Sequence, residues 1–362
     1  MDLPYLTAAL PGIGGVLRTT PEDFFVDEEP AYPPKGEGEH VFVKIEKRGL
    51  TTQIAVERIA KALNVKARDI GVAGMKDRHA VTRQWLSLPP PVQPDAVEAL
   101  ALDDVAIVEV ARHPHKLRTG HVRGNRFRLR VRGVTDNAVE KAQAILARLA
   151  QPPGAPNWYG EQRFGRDGDN AARGRAIVNG EGFPRDRKLA RLLVSALQSE
   201  LFNQWLTARM ADGLYETVLA GDVLHKVGGG MFTCEDPAID TPRLVAGEVV
   251  VTGPMFGDSM RAAPDGTPAA EREAKILADA GLARDSFSAV RAIAEGTRRD
   301  ATIAVADPTV TPIDELGLPR PGSAAEGPRG VVGNPGSDAA IEVTFSLPGG
   351  AYATAVMREL MK

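Results

Sequence analysis

Apolar and polar positions alternate from His40 to Glu46, with Val41, Val43 and Ile45 on one side and Phe42, Lys44 and Glu46 on the other. A period of two predicts a half-buried strand. From Thr52 to Leu63, Ile54, Ile59, Leu63 and the intervening alanines suit an amphipathic helix, with Thr51 or Thr52 as its N-cap. Ile70 to Ala73 is a short apolar run that ends at Gly74, and Met75 to Arg83 follows as a polar turn. A second strict alternation runs from Arg126 to Arg132, where Phe127, Leu129 and Val131 separate four arginines. It predicts a strand with one face on a core and a row of guanidinium groups on the other. Ala138 to Ala150 is Ala-rich and helical by propensity, and Pro152-Pro153 stops it. Leu189 to Met210 predicts one long helix or two. Further helices are expected near 270–281 and 286–296, strands at Val249-Val250-Val251 and Ile341 to Leu347, and an apolar-rich element from Tyr352 to Leu360. Gly228-Gly229-Gly230 reads as a hairpin turn, since it lacks the Lys-Ser/Thr of a phosphate loop. Residues 317–340, rich in Gly, Pro, Ser and Ala, read as a flexible loop.

Composition adds bounds. The 362 residues are 43% hydrophobic and 25% charged, an ordinary globular balance. That length fits two domains, or one with an insertion. No apolar run approaches the roughly 20 residues that span a bilayer, and Met1-Asp2-Leu3-Pro4 does not begin a secretory leader. The single cysteine, Cys234, excludes an intrachain disulfide and a Cys-based zinc site, and no basic neighbour activates it. A soluble cytoplasmic protein, monomeric by default and not bound to a membrane, is expected.

The net charge of −3 conceals an asymmetry. Residues 1–191 carry 30 Lys and Arg against 24 Asp and Glu, residues 192–305 carry 10 against 16, and residues 306–362 carry 4 against 7. A polyanion surface is therefore expected in the first half. The charge break near 190 and the loop before 341 suggest an inserted module, left by the first domain near 185 and rejoined near 305.

Four segments could carry chemistry. In Gly74-Met-Lys76-Asp77-Arg78-His79, a lone Asp sits among cations, with Arg83 close behind. Those cations favour the ionised carboxylate, which can serve as nucleophile, general base or cation partner; a turn Asp capping a backbone N–H is the plain alternative. Arg112 to Arg132 holds eight Lys and Arg, three histidines and no acid. Such a block attracts phosphates, and its alternative is a solvated basic hairpin whose pairing would need acids from elsewhere. His113-Pro-His115 has no nearby Cys or carboxylate to complete a metal ligand set. In Asn157-Trp-Tyr159-Gly-Glu-Gln-Arg-Phe-Gly165, aromatics beside an amide suit base stacking and edge hydrogen bonding, or a packed turn. Last, Leu347-Pro-Gly-Gly-Ala-Tyr352 delivers one aromatic, either to the core or to a cleft.

Taken together, these segments resemble the TruD family of tRNA pseudouridine synthases. The resemblance rests on Pro21-Glu-Asp-Phe24-Phe-Val-Asp-Glu28, Gly36-Glu-Gly-Glu-His40, Ala73-Gly-Met-Lys-Asp77-Arg-His-Ala-Val-Thr-Arg-Gln84 and Asn157 to Gly165. Further matches are Ser195-Ala196, Leu201-Phe-Asn-Gln204, Gly221-Asp222 and Leu347 to Leu360, all in family order, with only sparse matches from about 210 to 340. It implies an α+β fold, with a pseudouridine synthase catalytic domain (1–184 and 306–362) built around an antiparallel sheet. An inserted α/β module specific to the family (185–305) is also implied. The catalytic Asp maps onto Asp77, and substrate binding onto Phe24, Lys76, Asn157, Tyr159 and Tyr352. Tyr159 and Tyr352 stand where bacterial members often carry Phe; tyrosine keeps the ring face and adds a hydroxyl. Arg126, Arg128, Arg130 and Arg132 would hold RNA backbone, and Arg185 to Arg191 would be the RNA-facing strip of the insert.

The implied reaction converts uridine to pseudouridine, most often uridine 13 in the D arm of tRNA. It breaks a C–N bond and forms a C–C bond, so neither a metal nor a nucleotide cofactor is required. Asp77 would attack C1′ or the base, or take the C2′ proton. The partner is tRNA. The competing reading is a non-catalytic RNA-binding or RNA-chaperone protein on the same fold, which would be free to lose Asp77.

Overall fold

The computed structural model describes residues 3–313 and 339–362. The chain divides into two compact units. One comprises Leu10–Ala147, Val305–Ala353 and Leu360–Lys362; the other comprises Met1–Ala9, Arg148–Ala304 and Thr354–Glu359.

The first unit opens with β1 (Gly14–Leu17), β2 (Phe24–Pro30), β3 (His40–Arg48), α1 (Thr52–Ala62), β4 (Gly71–Val72) and β5 (Val81–Leu88). It continues with α2 (Pro94–Glu98), β6 (Val105–His113), β7 (Val122–Val134) and most of α3 (Ala138–Ala150). The second unit contains β8 (Ala155–Pro156), α4 (Asn170–Val178), α5 (Arg187–Ala211), β9 (Val223–Lys226), β10 (Met231–Thr233), α6 (Pro237–Val245), β11 (Val249–Met255), α7 (Pro268–Asp279), β12 (Thr297–Asp300) and β13 (Thr302–Ile303). β14 (Ala306–Ile313) and β15 (Ala340–Pro348) return the chain to the first unit, and α8 (Ala353–Met361) ends it. The residue where the charge balance changes, near 190, lies inside α5, whereas the units part at 147/148 and 304/305.

The first unit is organised by a sheet of order β14-β15-β7-β2-β5-β3-β6. All its pairings are antiparallel except β2 with β5. β7 is long enough to be shared along one edge: β2 pairs with it from Val122 to Leu129, and β1 from Val131 to Val134. Its register follows the alternation in the sequence, with Phe127, Leu129 and Val131 buried.

In β3, Val41, Val43 and Ile45 are buried under α1, whose Ala55, Val56 and Ile59 cover them. The strand is less one-sided than its pattern suggests. Phe42, on the opposite side, is also buried, packed with Trp85 and Leu117, because a loop covers that face too. Of the two candidate caps for α1, Thr51 is the one used, its Oγ accepting from the Ile54 N–H at 3.2 Å.

In the second unit, β10-β9-β11-β12 form a separate four-stranded sheet, and β8 pairs with β13. α5 is one continuous helix rather than two. Its Phe202 and Trp205 lie so close to β11 that a Cβ on Gly253 would come within 2.6 Å of the Trp205 ring, so only glycine fits there. Gly228 to Gly230 do turn a hairpin between β9 and β10. The helix expected over 286–296 is instead a 3-10 segment, Arg284–Val290. Ser286 there accepts the Ala283 N–H, a local hydrogen bond that competes with an α-helix, and Ser288 bonds Asp258 from a distant part of the chain. The loop expected over 317–340 falls, up to residue 338, outside the described residues.

Candidate active site

The strands of the first unit place one carboxylate at a loop between β4 and β5. Asp77 is about a third exposed, and its Oδ2 meets the Arg18 guanidinium at 3.0 Å. Its Oδ1 accepts the His79 N–H at 3.1 Å. Arg18 follows β1 with φ of 65°, a left-handed conformation that a residue with a Cβ adopts rarely and at some cost. In that conformation its guanidinium pairs with Asp77 and lies 4.1 Å over the Phe24 ring. Phe24 is buried and edge-on to Phe127. Arg18 thus joins the carboxylate to an aromatic ring from the start of β2.

The backbone of Asp77 is pinned from below. Lys47, fully buried near the end of β3, donates from Nζ to the Asp77 carbonyl at 2.8 Å and to the Leu50 carbonyl at 2.6 Å. Burial pushes the Lys47 ammonium down from 10.5 to about 8, with Asp77 opposing that shift and Lys76 adding to it. Lys76 is held just as firmly. Its Nζ lies 2.7 Å from the buried carboxylate of Glu28 and bonds the Asn125 amide oxygen. Glu28 and Asn125 face each other across β2 and β7, so sheet register creates this seat. The Lys76 N–H also donates to Thr52 Oγ1 at 2.8 Å, and Thr52 in turn donates to Gln84. The loop is therefore fixed on both sides of Asp77 while the carboxylate keeps an accessible edge. Such a carboxylate can attack an electrophilic carbon or accept a proton.

Reading the sequence for chemistry passes over Lys47, Arg18, Glu28 and Asn125. For Lys47 a signal was present. Continuing the alternation Val41, Val43, Ile45 by one step puts a lysine on the core face, where an ammonium needs a special reason. Arg18 has no such signal, because its position depends on an irregular turn.

The arginine row is only partly available. Arg132 makes a bidentate pair with buried Asp23, and Arg130 pairs with Glu342 across β15. The acids come from β15 and the turn before β2, so the absence of acids within residues 112–132 did not reveal them. Arg126 and Arg128 are exposed; Arg128 stacks 4.6 Å over Phe25 and lies 3.9 Å from the Glu342 carboxylate that Arg130 engages. Among the described residues, no cluster of three or more His, Cys, Asp or Glu is placed to hold a metal ion. No helix among them is long and apolar enough to cross a membrane.

The model of the family described as tRNA pseudouridine synthase D (TruD) matches residues 1–182 and 185–360. The chain belongs to the TruD family. Membership makes it an RNA pseudouridine synthase, an isomerase. It is similar to the tRNA pseudouridine synthase D of Anaeromyxobacter dehalogenans strain 2CP-C, with 49% identity over 100% of this chain and 97% of that protein. The enzyme of the same name from Thermus thermophilus is 42% identical over 99% of this chain and 92% of its own length. A crystal structure of a protein described as tRNA pseudouridine synthase D from Methanosarcina mazei matches 100% of this chain and 98% of its own, with a TM-score of 0.76 and 23% identity, a likeness of fold.

Within the TruD frame the remaining predicted residues fall as follows. Phe24, Lys76 and Asp77 lie in the first unit, where Arg18, not among the predicted residues, links Phe24 to Asp77. Tyr352, also in that unit, is the N-cap residue of α8 and 44% exposed, so it is not a core aromatic. Asn157 and Tyr159 belong to the second unit and are buried. The Asn157 amide donates to the Asp300 carbonyl at 2.8 Å and its oxygen receives Arg299. Arg299 in turn lies 4.1 Å over the Tyr159 ring. The Tyr159 hydroxyl donates to the Met255 sulfur at 3.6 Å. Arg185, Arg187, Lys188 and Arg191 are exposed at the start of α5.

Proposed function

We propose that this protein isomerises uridine to pseudouridine in tRNA, at position 13 of the D arm, with Asp77 as the reacting carboxylate. The observation that carries the reading is the double restraint on Asp77. Arg18 holds one carboxylate oxygen at 3.0 Å and Lys47 holds the backbone carbonyl at 2.8 Å, while the side chain stays about a third exposed. A turn residue that merely caps a backbone amide needs neither a buried ammonium beneath it nor an arginine in a left-handed conformation. Relatives named tRNA pseudouridine synthase D support tRNA as the substrate, and position 13 rests on the resemblance of the segments around Asp77 and Asn157.

The reaction moves no electrons to an acceptor and transfers no phosphoryl group, so protein side chains suffice. A uridine must first leave its stack, at a cost of a few kcal/mol. A ring such as Tyr352 recovers part of that by stacking. The Arg18 guanidinium, already over Phe24, then gives up the Asp77 oxygen to the incoming ribose or base. Exposed Arg126 and Arg128 hold backbone phosphates, which positions the RNA without reading its sequence.

Asp77→Asn tests this reading. The carboxamide keeps the size and loses the charge. Tritium release from tRNA carrying 5-tritiated uridine should fall to background, while the dissociation constant for tRNA stays within a few-fold. Appreciable turnover by the variant would refute the role of Asp77. Release from a transcript with cytidine at position 13 equal to that from the native sequence would refute the position.

A further inference from the structure

A second feature of the first unit is not used by this chemistry. A cavity of about 880 Å³ opens between the loop that follows β2, the paired ends of β3 and β6, and the loop leading into β7. Its walls carry Tyr32, His40, His113 and His121. Three cations, Lys35, Lys116 and Arg118, also line it, and no acid does. None of the three cations is in an ion pair among the described residues, although Lys116 donates to the Arg68 carbonyl at 3.2 Å.

The side chains of this cavity are organised. His113 is only 3% exposed, and its Nδ1 has no hydrogen-bond partner. Tyr32 stacks on it at 5.1 Å with the rings 16° from parallel. Burial, then His115, Lys35 and His40, push the His113 pKa down, so the ring is neutral and keeps an acceptor nitrogen. The Tyr32 hydroxyl meets His121 Nδ1 at 2.6 Å, and the Arg118 N–H points at the same nitrogen from 3.4 Å. With Nδ1 accepting, Nε2 of His121 carries the proton and can donate. Gly38 lets the wall close: its φ is +112°, and a Cβ there would fall 2.5 Å from Pro114. The orphaned buried imidazole is costly to leave without a partner, and three cations with no acid beside them favour an anionic ligand.

The chemistry narrows the ligand. A lone phosphate is far smaller than this volume, and an apolar ligand would leave the cations unmatched. Flat aromatic and proline faces beside cations suit a planar base with its phosphate attached. The cavity also adjoins the candidate active site. The Gly120 N–H donates to the carbonyl of Ala73, in the segment that leads to Asp77, at 2.9 Å. His121 lies four residues before Asn125, the partner of Lys76, or about 13 Å along an extended strand. Exposed Arg123, Arg126 and Arg128 continue from it along β7.

We propose that this cavity is a subsite for a nucleotide of the bound RNA other than the uridine being isomerised. The base packs on Tyr32 and the prolines, and the phosphate sits among Lys35, Lys116 and Arg118. The assignment rests on the reading of the chain as an enzyme acting on RNA.

Binding, not turnover, tests it, using the full chain carrying Asp77→Asn. Lys35→Ala with Arg118→Ala removes two exposed cations and leaves the fold intact. It should weaken tRNA binding about tenfold and reduce the slope of log affinity against log salt by roughly 0.7 per lost contact. Tyr32→Ala should weaken binding about fivefold or more with the slope unchanged, and Tyr32→Phe should bind like the parent. Histidine ring NMR signals should show His113 shifting when tRNA is added. Unchanged affinity and slope in the cation double variant, or a His113 signal that tRNA does not move, would overturn the proposal. So would uridine or adenosine monophosphate shifting His113 without competition from tRNA, which would assign the cavity to a free nucleotide. Inorganic phosphate acting as well as either nucleotide would remove the base platform and also overturn it. If Asp77→Asn retained turnover, the catalytic assignment would fail while these binding results stood.

Discussion

Replacing Lys47 with methionine probes the floor of the site. Lys47 is a fully buried ammonium whose pKa falls from 10.5 to about 8, chiefly through desolvation. That drop is about 2.5, and at about 1.36 kcal/mol for each tenfold change in proton affinity the native state penalises the charge by about 3 kcal/mol. The sign follows from proton uptake. Between about pH 8 and 10.5 the unfolded chain holds the proton and the native state does not, so native stability rises with pH across that window. Below about pH 8 the penalty is fully present. Methionine removes it, but leaves the carbonyls of Asp77 and Leu50 without their donor, at about 1–3 kcal/mol for each that stays buried. The two effects nearly cancel at pH 7, so the variant should fold with stability within about 2–3 kcal/mol of the parent. Urea unfolding from pH 7 to 10.5 should show a stability gain of up to about 3 kcal/mol in the parent relative to the variant. Turnover in the tritium-release assay should drop at least tenfold, because Asp77 loses the bond that fixes its backbone. If parent and variant gained stability with pH in parallel, Lys47 would not be a desolvated cation and the argument would fail. Unchanged turnover would show that the bond to the Asp77 carbonyl positions nothing.

Tyr352 is 44% exposed, so Tyr352→Ala should shift the melting temperature by no more than about 2 °C. If Tyr352 stacks on the substrate, the same change should lower catalytic efficiency about 5- to 150-fold, and Tyr352→Phe should be nearly silent; a large fall in melting temperature with normal activity would refute this. The arginine row should split by partner. Arg126→Gln should flatten the salt dependence of tRNA binding by roughly 0.7–0.9 in slope. Arg132→Gln, which strands buried Asp23, should instead cost about 2–3 kcal/mol of stability in urea unfolding. The reverse pattern would show that the row was sorted wrongly.

Local pattern was enough for much of this protein. Alternation identified the strand beginning at His40 and the one holding the four arginines, and Ala-rich composition with a Pro-Pro stop identified the helix from Ala138 to Ala150. The polar loop expected over Met75 to Arg83 does carry Asp77, although its last three residues, Val81 to Arg83, already belong to β5, and its resemblance pointed to the family. These features depend on residues close in sequence, where side-chain period and backbone propensity operate directly.

Other features required contacts across long separations. Which arginines are neutralised depends on Asp23 and Glu342, more than a hundred residues from Arg132 and more than two hundred from Arg130. The seat of Lys76 requires Glu28 and Asn125 to meet across two strands. The same holds for the cavity, where loops from residues 31–39 and 114–121 come together. The chain by itself determined the strands, helices and loop that carry the chemistry, because those follow from neighbours along the backbone. Tertiary structure alone decided which charges are paired, buried or exposed, because desolvation and pairing depend on what the fold brings within a few ångströms.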